Sequence, residues 1–217
     1  MTMLKLYDYP ASGNCYKVRL LLAQLGREYE RVPVDIFDGD TLTPEFGARN
    51  PVRQTPVLGL PDGKAIYESA AILWYLAEGT PFLADSPVGR AQTVQWLSFE
   101  QERVMSGIAG ARFRLLTGRE AAGSPRMVAR QKLGAGALDV LEAELAERPF
   151  LVGGRYSIAD IAVYGYAHVA EEAGLDLAER PAVRAWRDRV AAQPGYVEDL
   201  APYPDNAREG AGRSIYG

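Results

Sequence analysis

Residues 3–34 read MLKLYDYPASGNCYKVRLLLAQLGREYERVPV, and the fold is decided there. Residues 3–9 alternate apolar and polar side chains, the period of a strand. Pro10, Ala11, Ser12, Gly13 and Asn14 form a turn-rich break. From Cys15 to Leu25 the apolar positions are Val18, Leu21, Leu22 and Leu25, a helical spacing, and Gly26 stands where a helix ends. Tyr29–Val34 reads as a second strand. Strand, helix and strand on this length scale make a βαβ unit, which requires parallel pairing and a right-handed crossover.

Working outward, Pro44, Glu45 and Phe46 open a short helix, Pro56–Leu60 is a third strand, and Pro61–Lys64 (PDGK) is a hairpin turn into a fourth strand at Ala65–Tyr67. Glu68–Ala77 is helical, with Ile72, Leu73 and Leu76 on one face. Residues 1–79 therefore lay out β-α-β-(α)-β-β-α, a thioredoxin-like α/β domain. Residues 80–87 are rich in Pro, Ser and Asp and read as a linker. Residues 88–201 show no strand pattern and read as an all-α domain. Its helices are expected over 88–116, from Ser124 to about Glu147, over Ser157–Ala173 and over Pro181–Ala192. The tail, 202–217, reads as irregular.

Composition narrows the class. The chain has 217 residues, 47% apolar and 24% charged, so it can bury a real core. A net charge of −4 argues against nucleic acid as a partner, because phosphate backbones are met by basic surfaces. One cysteine forbids an intrachain disulfide, and one cysteine with one histidine cannot build a zinc site of the usual kinds, so no metal is expected. The longest apolar run, Val18–Leu25, is short and contains Arg19 and Gln24, so no membrane span is expected. The N-terminus lacks the pattern of a signal peptide, and the cytoplasm is the expected compartment.

Four motifs carry the chemistry, each with a structural alternative. In Ser12–Arg19, SGNCYKVR, Ser12 and Asn14 stand at a helix start, where free N–H groups and the helix dipole favour an anion. The same residue types are also ordinary N-caps. Cys15 is either a thiol acidified at the helix start or a small buried apolar residue. In Asn50–Leu58, NPVRQTPVL, a cis Thr55–Pro56 bond would turn the Thr55 backbone outward to pair with an extended peptide, whereas a trans bond would make Pro56 a plain turn residue. In Tyr67–Ile72, YESAAI, Glu68 and Ser69 are either helix-start residues or binders of an amino-acid head, its ammonium on Glu68 and its carboxylate on Ser69. In Gly153–Ile161, GGRYSIADI, Ser157 and Asp160 form a capping-box pattern that starts a buried helix. His168 sits in an apolar helix and reads as a packing residue.

In this order, the four motifs resemble those of the soluble glutathione transferases over nearly the whole chain, with features like the serine enzymes of the nu, theta and zeta types. The resemblance implies a thioredoxin-like N-terminal domain, a helical C-terminal domain, a glutathione site on the first and a hydrophobic site between the two. It implies that Ser12 and Asn14 face the glutathione sulfur as the catalytic pair. Thr55 would pair with the cysteinyl unit, Gln54 would add a neighbouring polar contact, and Glu68 and Ser69 would hold the γ-glutamyl group. The family often places a cation before its second helix for the glycine carboxylate. Residues 40–43 (DTLT) offer none, so Arg53 takes that part. Tyr9, Met105, Arg112 and Phe113 are the expected hydrophobic substrate contacts, though they also fit an interdomain core. Where the zeta class has Ser-Ser-Cys, this chain has Ser12, Gly13 and Asn14, which speaks against that isomerase activity.

The implied mechanism makes glutathione the nucleophile and Ser12 an electrostatic stabiliser of its thiolate. The acceptor is a small hydrophobic electrophile, giving a glutathione S-transferase of detoxification type. Two alternatives stand beside it: reduction of disulfides or peroxides by glutathione, and a non-catalytic binding module on the same fold. Homodimerisation follows from the resemblance alone.

Overall fold

The computed structural model describes residues 3–216. The described residues form two compact units, one of residues 3–76 with 197–216, the other of residues 77–196. The tail read as irregular thus belongs to the first unit, together with residues 197–201 that the sequence pattern groups with the helices.

The first unit is built on a four-stranded sheet. Its strands are β1 (Leu4–Asp8), β2 (Tyr29–Pro33), β3 (Val57–Gly59) and β4 (Ala65–Tyr67), in the order β2-β1-β3-β4. β1 and β2 pair in parallel with Leu4 opposite Tyr29, as the βαβ reading requires. β3 runs antiparallel to both β1 and β4. Helix α1 (Gly13–Gln24) makes the crossover. It ends on a Schellman pattern: Gly26 at φ +60° lets the Arg27 N–H reach Leu22 O and its own N–H reach Ala23 O, each at 3.0 Å. Helices α2 (Pro44–Arg49) and α3 (Ser69–Ala77) complete the main order.

α1 is buried almost all round, from Cys15 to Leu22. The sequence shows only one apolar face. The other is covered by the returning tail: the Tyr16 hydroxyl donates to Val197 O at 2.8 Å, and Arg19 Nε donates to both oxygens of Asp199 at 2.9 Å. Arg19 also pairs with the fully buried Asp8 at 2.6 Å, which takes a second, short bond from Arg31. Burial works against the Arg19 charge, but Asp8 and Asp199 outweigh it and raise its pKa. Farther along the tail, Arg213 N donates to Phe37 O at 2.7 Å and Ala201 N to Pro10 O at 3.2 Å.

The second unit is all helical: α4 (Pro87–Phe99), α5 (Gly110–Leu116), α6 (Pro125–Glu147), α7 (Ile158–Ala167) and α8 (Pro181–Ala191). The helix expected over 88–116 is interrupted, because residues 100–109 wind as a π-helix between α4 and α5. The helix expected over Ser157–Ala173 stops at Ala167, and a 3₁₀ turn follows at Ala170–Ala173. α6 passes close to the π stretch, since a Cβ on Gly107 would come within 2.4 Å of Gly134 N; glycine at both positions permits the crossing. α7 is the core of this unit, with all ten residues buried. Each large aliphatic side chain so buried contributes ~1.5–3 kcal/mol. Among the described residues, no helix is long and apolar enough to cross a membrane.

Candidate functional site

Ser12 is the N-cap of α1, at φ −83° and ψ 120°, and its Oγ accepts from Cys15 N at 3.3 Å. The capping reading of this motif is therefore real, but the bond is long and Ser12 stays half-buried. No acidic residue lies in the first turn of α1. The dipole at this end thus lacks the carboxylate that many helices supply for themselves. Asn14 is also half-buried, and its Oδ1 accepts from Lys17 Nζ at 2.7 Å and from Ser69 Oγ at 3.4 Å. The second bond brings the starts of α1 and α3 together, although 55 residues separate them.

Cys15 belongs to the core. It is fully buried, its sulfur accepts from Tyr9 N at 3.4 Å, and burial pushes its pKa up to about 12. Hydrogen bonds from Thr55, Tyr9 and Ser12 pull the other way without reversing it. At neutral pH Cys15 is a thiol and no nucleophile.

The Thr55–Pro56 bond is cis, and β3 begins only at Val57, so Thr55 lies ahead of the ladder. Asn50 shapes the loop before it: buried itself, it donates to Gln54 O at 2.8 Å and accepts from Val52 N at 2.9 Å. Arg53 in this loop takes φ +59°, and its Nη1 donates to Thr41 O at 2.8 Å and Thr43 O at 2.9 Å. Arg53 is thereby fastened to the cation-free stretch 40–43. Gln54 is exposed and hydrogen-bonds the side chain of Tyr216. Glu68 is exposed at φ +68°, while Ser69 beside it is buried. A positive φ at a non-glycine residue persists only where its surroundings enforce it, and such positions gather at binding sites.

All seven residues expected around glutathione lie in the first unit. The four expected for the hydrophobic substrate do not share a unit. Tyr9 is buried in the first, edge-on to Phe37 at 5.9 Å and tilted against Tyr203 at 6.5 Å. In the second, Met105 falls in the π stretch and Arg112 is buried in an ion pair with Glu172 at 2.6 Å. Phe113 carries the Arg119 guanidinium 5.0 Å above its ring.

Sequence reasoning gave no role to Lys17, Asn50, Tyr203 or Tyr216. Lys17 has a detectable signal, since it follows Asn14 by three residues and so shares its helix face. Asn50 opens one of the quoted motifs. The tail tyrosines carry no local signal.

At the other end of the chain the capping box is closed. Asp160 Oδ2 accepts from Ser157 N at 3.0 Å, and Ser157 Oγ accepts from Ala159 N at 3.3 Å. Asp160 Oδ1 also takes bonds from Leu151 N and Trp186 Nε1, each at 3.0 Å. His168 caps the far end of α7: the Tyr164 carbonyl accepts from its Nδ1 at 2.6 Å and the two rings stack at 4.7 Å.

Comparison with known proteins bears on what this site serves. Residues 11–78 match the family model "Glutathione S-transferase, N-terminal domain" and residues 108–194 match "Glutathione S-transferase, C-terminal domain". Glutathione S-transferase 3 of Zea mays is 32% identical, the match covering 94% of this chain and 96% of that protein. The disulfide-bond oxidoreductase YfcG of Escherichia coli (strain K12) is 33% identical, over 91% of this chain and 94% of that one. The solved structure of a glutathione S-transferase from Pseudomonas fluorescens Pf-5 superposes with a TM-score of 0.89 at 46% identity, covering 92% of this chain and 100% of that one.

Proposed function

The chain belongs to the glutathione S-transferase family, and on that premise we propose that it is a glutathione transferase that holds the glutathione thiol as a thiolate at the start of α1. The observation that carries this reading is the open N-terminus of α1. Ser12 and Asn14 stand there half-buried, without a carboxylate of the helix's own. A free thiol has a pKa of about 8.5 and is mostly protonated at neutral pH. A hydroxyl donor, an amide donor and the helix dipole all favour its charged form.

The remaining contacts follow the tripeptide. Glu68 takes the γ-glutamyl ammonium, and Ser69 with the first N–H groups of α3 takes its carboxylate. The Thr55 backbone pairs with the cysteinyl unit, with Gln54 beside it. Arg53 takes the glycine carboxylate through the part of its guanidinium that does not hold Thr41 and Thr43. The thiolate then attacks an electrophilic carbon, forming a C–S bond as the leaving group departs with its electron pair. The working form in this reading is a cytoplasmic homodimer engaged in detoxification. The dimer and the detoxification role rest on the family alone, and the compartment on the N-terminal sequence pattern.

A second reading, glutathione-dependent reduction of disulfides, is favoured by the 33% identity to a disulfide-bond oxidoreductase and by the burial of the sole cysteine. There the same thiolate attacks a disulfide sulfur, and the displaced thiolate takes up a proton. Cys15→Ala keeps this activity if glutathione alone supplies the sulfur.

The deciding experiment is a thiolate-absorbance titration of glutathione on the protein, repeated with Ser12→Ala. A bound thiol more acidic than free glutathione, reverting by ~1–3 pKa units in the variant, is the expected result. Binding with an unshifted thiol would point to a non-catalytic module. Electrophiles and disulfides then divide the two enzyme readings.

A further inference from the structure

We propose that Lys17 is a positioning residue for the thiolate site, acting through Asn14. The inference rests on the proposed glutathione reading for its functional consequence, but its geometry stands apart from it. Lys17 lies one turn into α1 and its side chain is fully buried, with no accessible surface. Burying an ammonium costs several kcal/mol unless the site uses it well. A core position on the same helix would be served better by Leu or Met.

The bond to Asn14 explains the choice. A carboxamide has two chemically opposite arms, an acceptor oxygen and a donor nitrogen of nearly the same size. Which arm faces the ligand is decided by the neighbours. An ammonium can only donate, so Lys17 Nζ, 2.7 Å away, fixes Oδ1 on its own side. Ser69 Oγ, at 3.4 Å, donates to the same oxygen until a glutathione carboxylate claims its single proton. With Oδ1 held by Lys17, Nδ2 occupies the opposite arm and Asn14 offers N–H to an anion at the helix start. A flipped amide would offer oxygen lone pairs and repel a thiolate. The neighbouring cation on this helix cannot take over the task, since Arg19 is bound to Asp8, Asp199 and the Pro10 and Asp199 carbonyls.

The test compares Lys17→Met, which removes the donor, with Lys17→Arg, whose guanidinium, like the ammonium, can only donate. Asn14→Ala and the Lys17→Met/Asn14→Ala double variant complete the set. Bound-thiol titration of glutathione is the functional readout, and affinity for S-methylglutathione, which has no thiol to ionise, reports on the intact site. Lys17→Met is expected to lower the thiolate fraction at neutral pH about tenfold, as much as Asn14→Ala does. The double variant is expected to add nothing, and S-methylglutathione affinity to hold. Lys17→Arg should keep most of the thiolate, because orientation needs a group that only donates. A wild-type thiol pKa in Lys17→Met, or losses that add in the double variant, would overturn the proposal.

The Asn14 side-chain amide resonances, recorded without glutathione, separate this inference from the functional one. If the wild-type protein binds no glutathione, the functional reading falls. The amide shift should still move in Lys17→Met and stay near wild type in Lys17→Arg, and an amide indifferent to Lys17→Met would sink the role of Lys17. Should Lys17→Met fail to fold, the Lys17→Arg resonances carry the same decision: a wild-type-like amide supports the orientation role and a flipped one refutes it.

Discussion

Among the described helices α1, α4, α6 and α7 begin with a serine cap, and the first and last of these are built for opposite ends. At α7, Ser157 and Asp160 close on each other, Asp160 is fully buried, and every donor around it is spent inside the fold. At α1, Ser12 makes one long bond, no acid stands in the first turn, and Ser12 and Asn14 stay half-buried. A helix start that supplies its own anion is a folding device. α4 and α6 also start without an acid, so at α1 it is the half-buried Ser12 and Asn14 beside the missing acid that leave room for a foreign anion.

The contrast breaks most visibly at α7. Asp160→Ala would strip an acceptor from Leu151 N, Ser157 N and Trp186 Nε1 at once. The expected cost is more than ~3 kcal/mol by chemical denaturation, because each buried donor left unmet costs ~1–3 kcal/mol. A loss under ~1 kcal/mol would mean that the box is not what holds α7.

The far end of the same helix gives the next effect. Burial holds His168 down to about 4 from its ordinary 6.5. The unfolded chain takes up the proton first as pH falls, so the stability that neutral His168 lends is complete above pH 6.5 and drains away towards pH 4. The size is on the order of 3 kcal/mol. Burial lifts Asp160 from 3.8 to about 6, which gives the opposite slope: its contribution is complete below 3.8 and is lost as pH rises through 6. Denaturation curves of His168→Gln between pH 4 and 7 should therefore lose the acid-side decline and expose the Asp160 slope. An unchanged profile would remove His168 from the balance.

The smallest change in stability is expected from giving α1 what α7 has. Asn14→Asp places a carboxylate in the first turn and should stabilise the helix by no more than ~0.3–1 kcal/mol. The same change should abolish acidification of bound glutathione, seen in the thiolate titration. Stability and activity moving in opposite directions would confirm that the open cap serves the ligand.

The sequence carries some of this and conceals the rest for physical reasons. Alternation over residues 3–9 and the spacing of Val18, Leu21 and Leu22 are local patterns, so the βαβ unit is legible. The Ser157 and Asp160 pair is legible for the same reason, since both partners sit within one turn. The π stretch at 100–109 is not, because it differs from α-helix in hydrogen-bond register and not in residue type. Nor do Arg53 and Glu68 announce a positive φ, which tertiary surroundings impose. The burial of Lys17 is hidden because a lysine on a helix reads as solvated until the chain covering it is known. Ser12, Asn14, Thr55, Glu68 and Ser69 could be singled out because each lies in a short motif, while Tyr216 touches Gln54 across most of the chain's length.

The tail that returns to α1 has a consequence in the order of synthesis. A ribosome delivers β1, α1 and β2 first, yet Arg19 waits 180 residues for Asp199, and Tyr16 waits 181 for Val197. Until those arrive, a guanidinium destined for burial has Asp8 and water to face. The unit translated first is therefore the one completed last, and a chain cut short anywhere before Val197 releases its first helix without its cover.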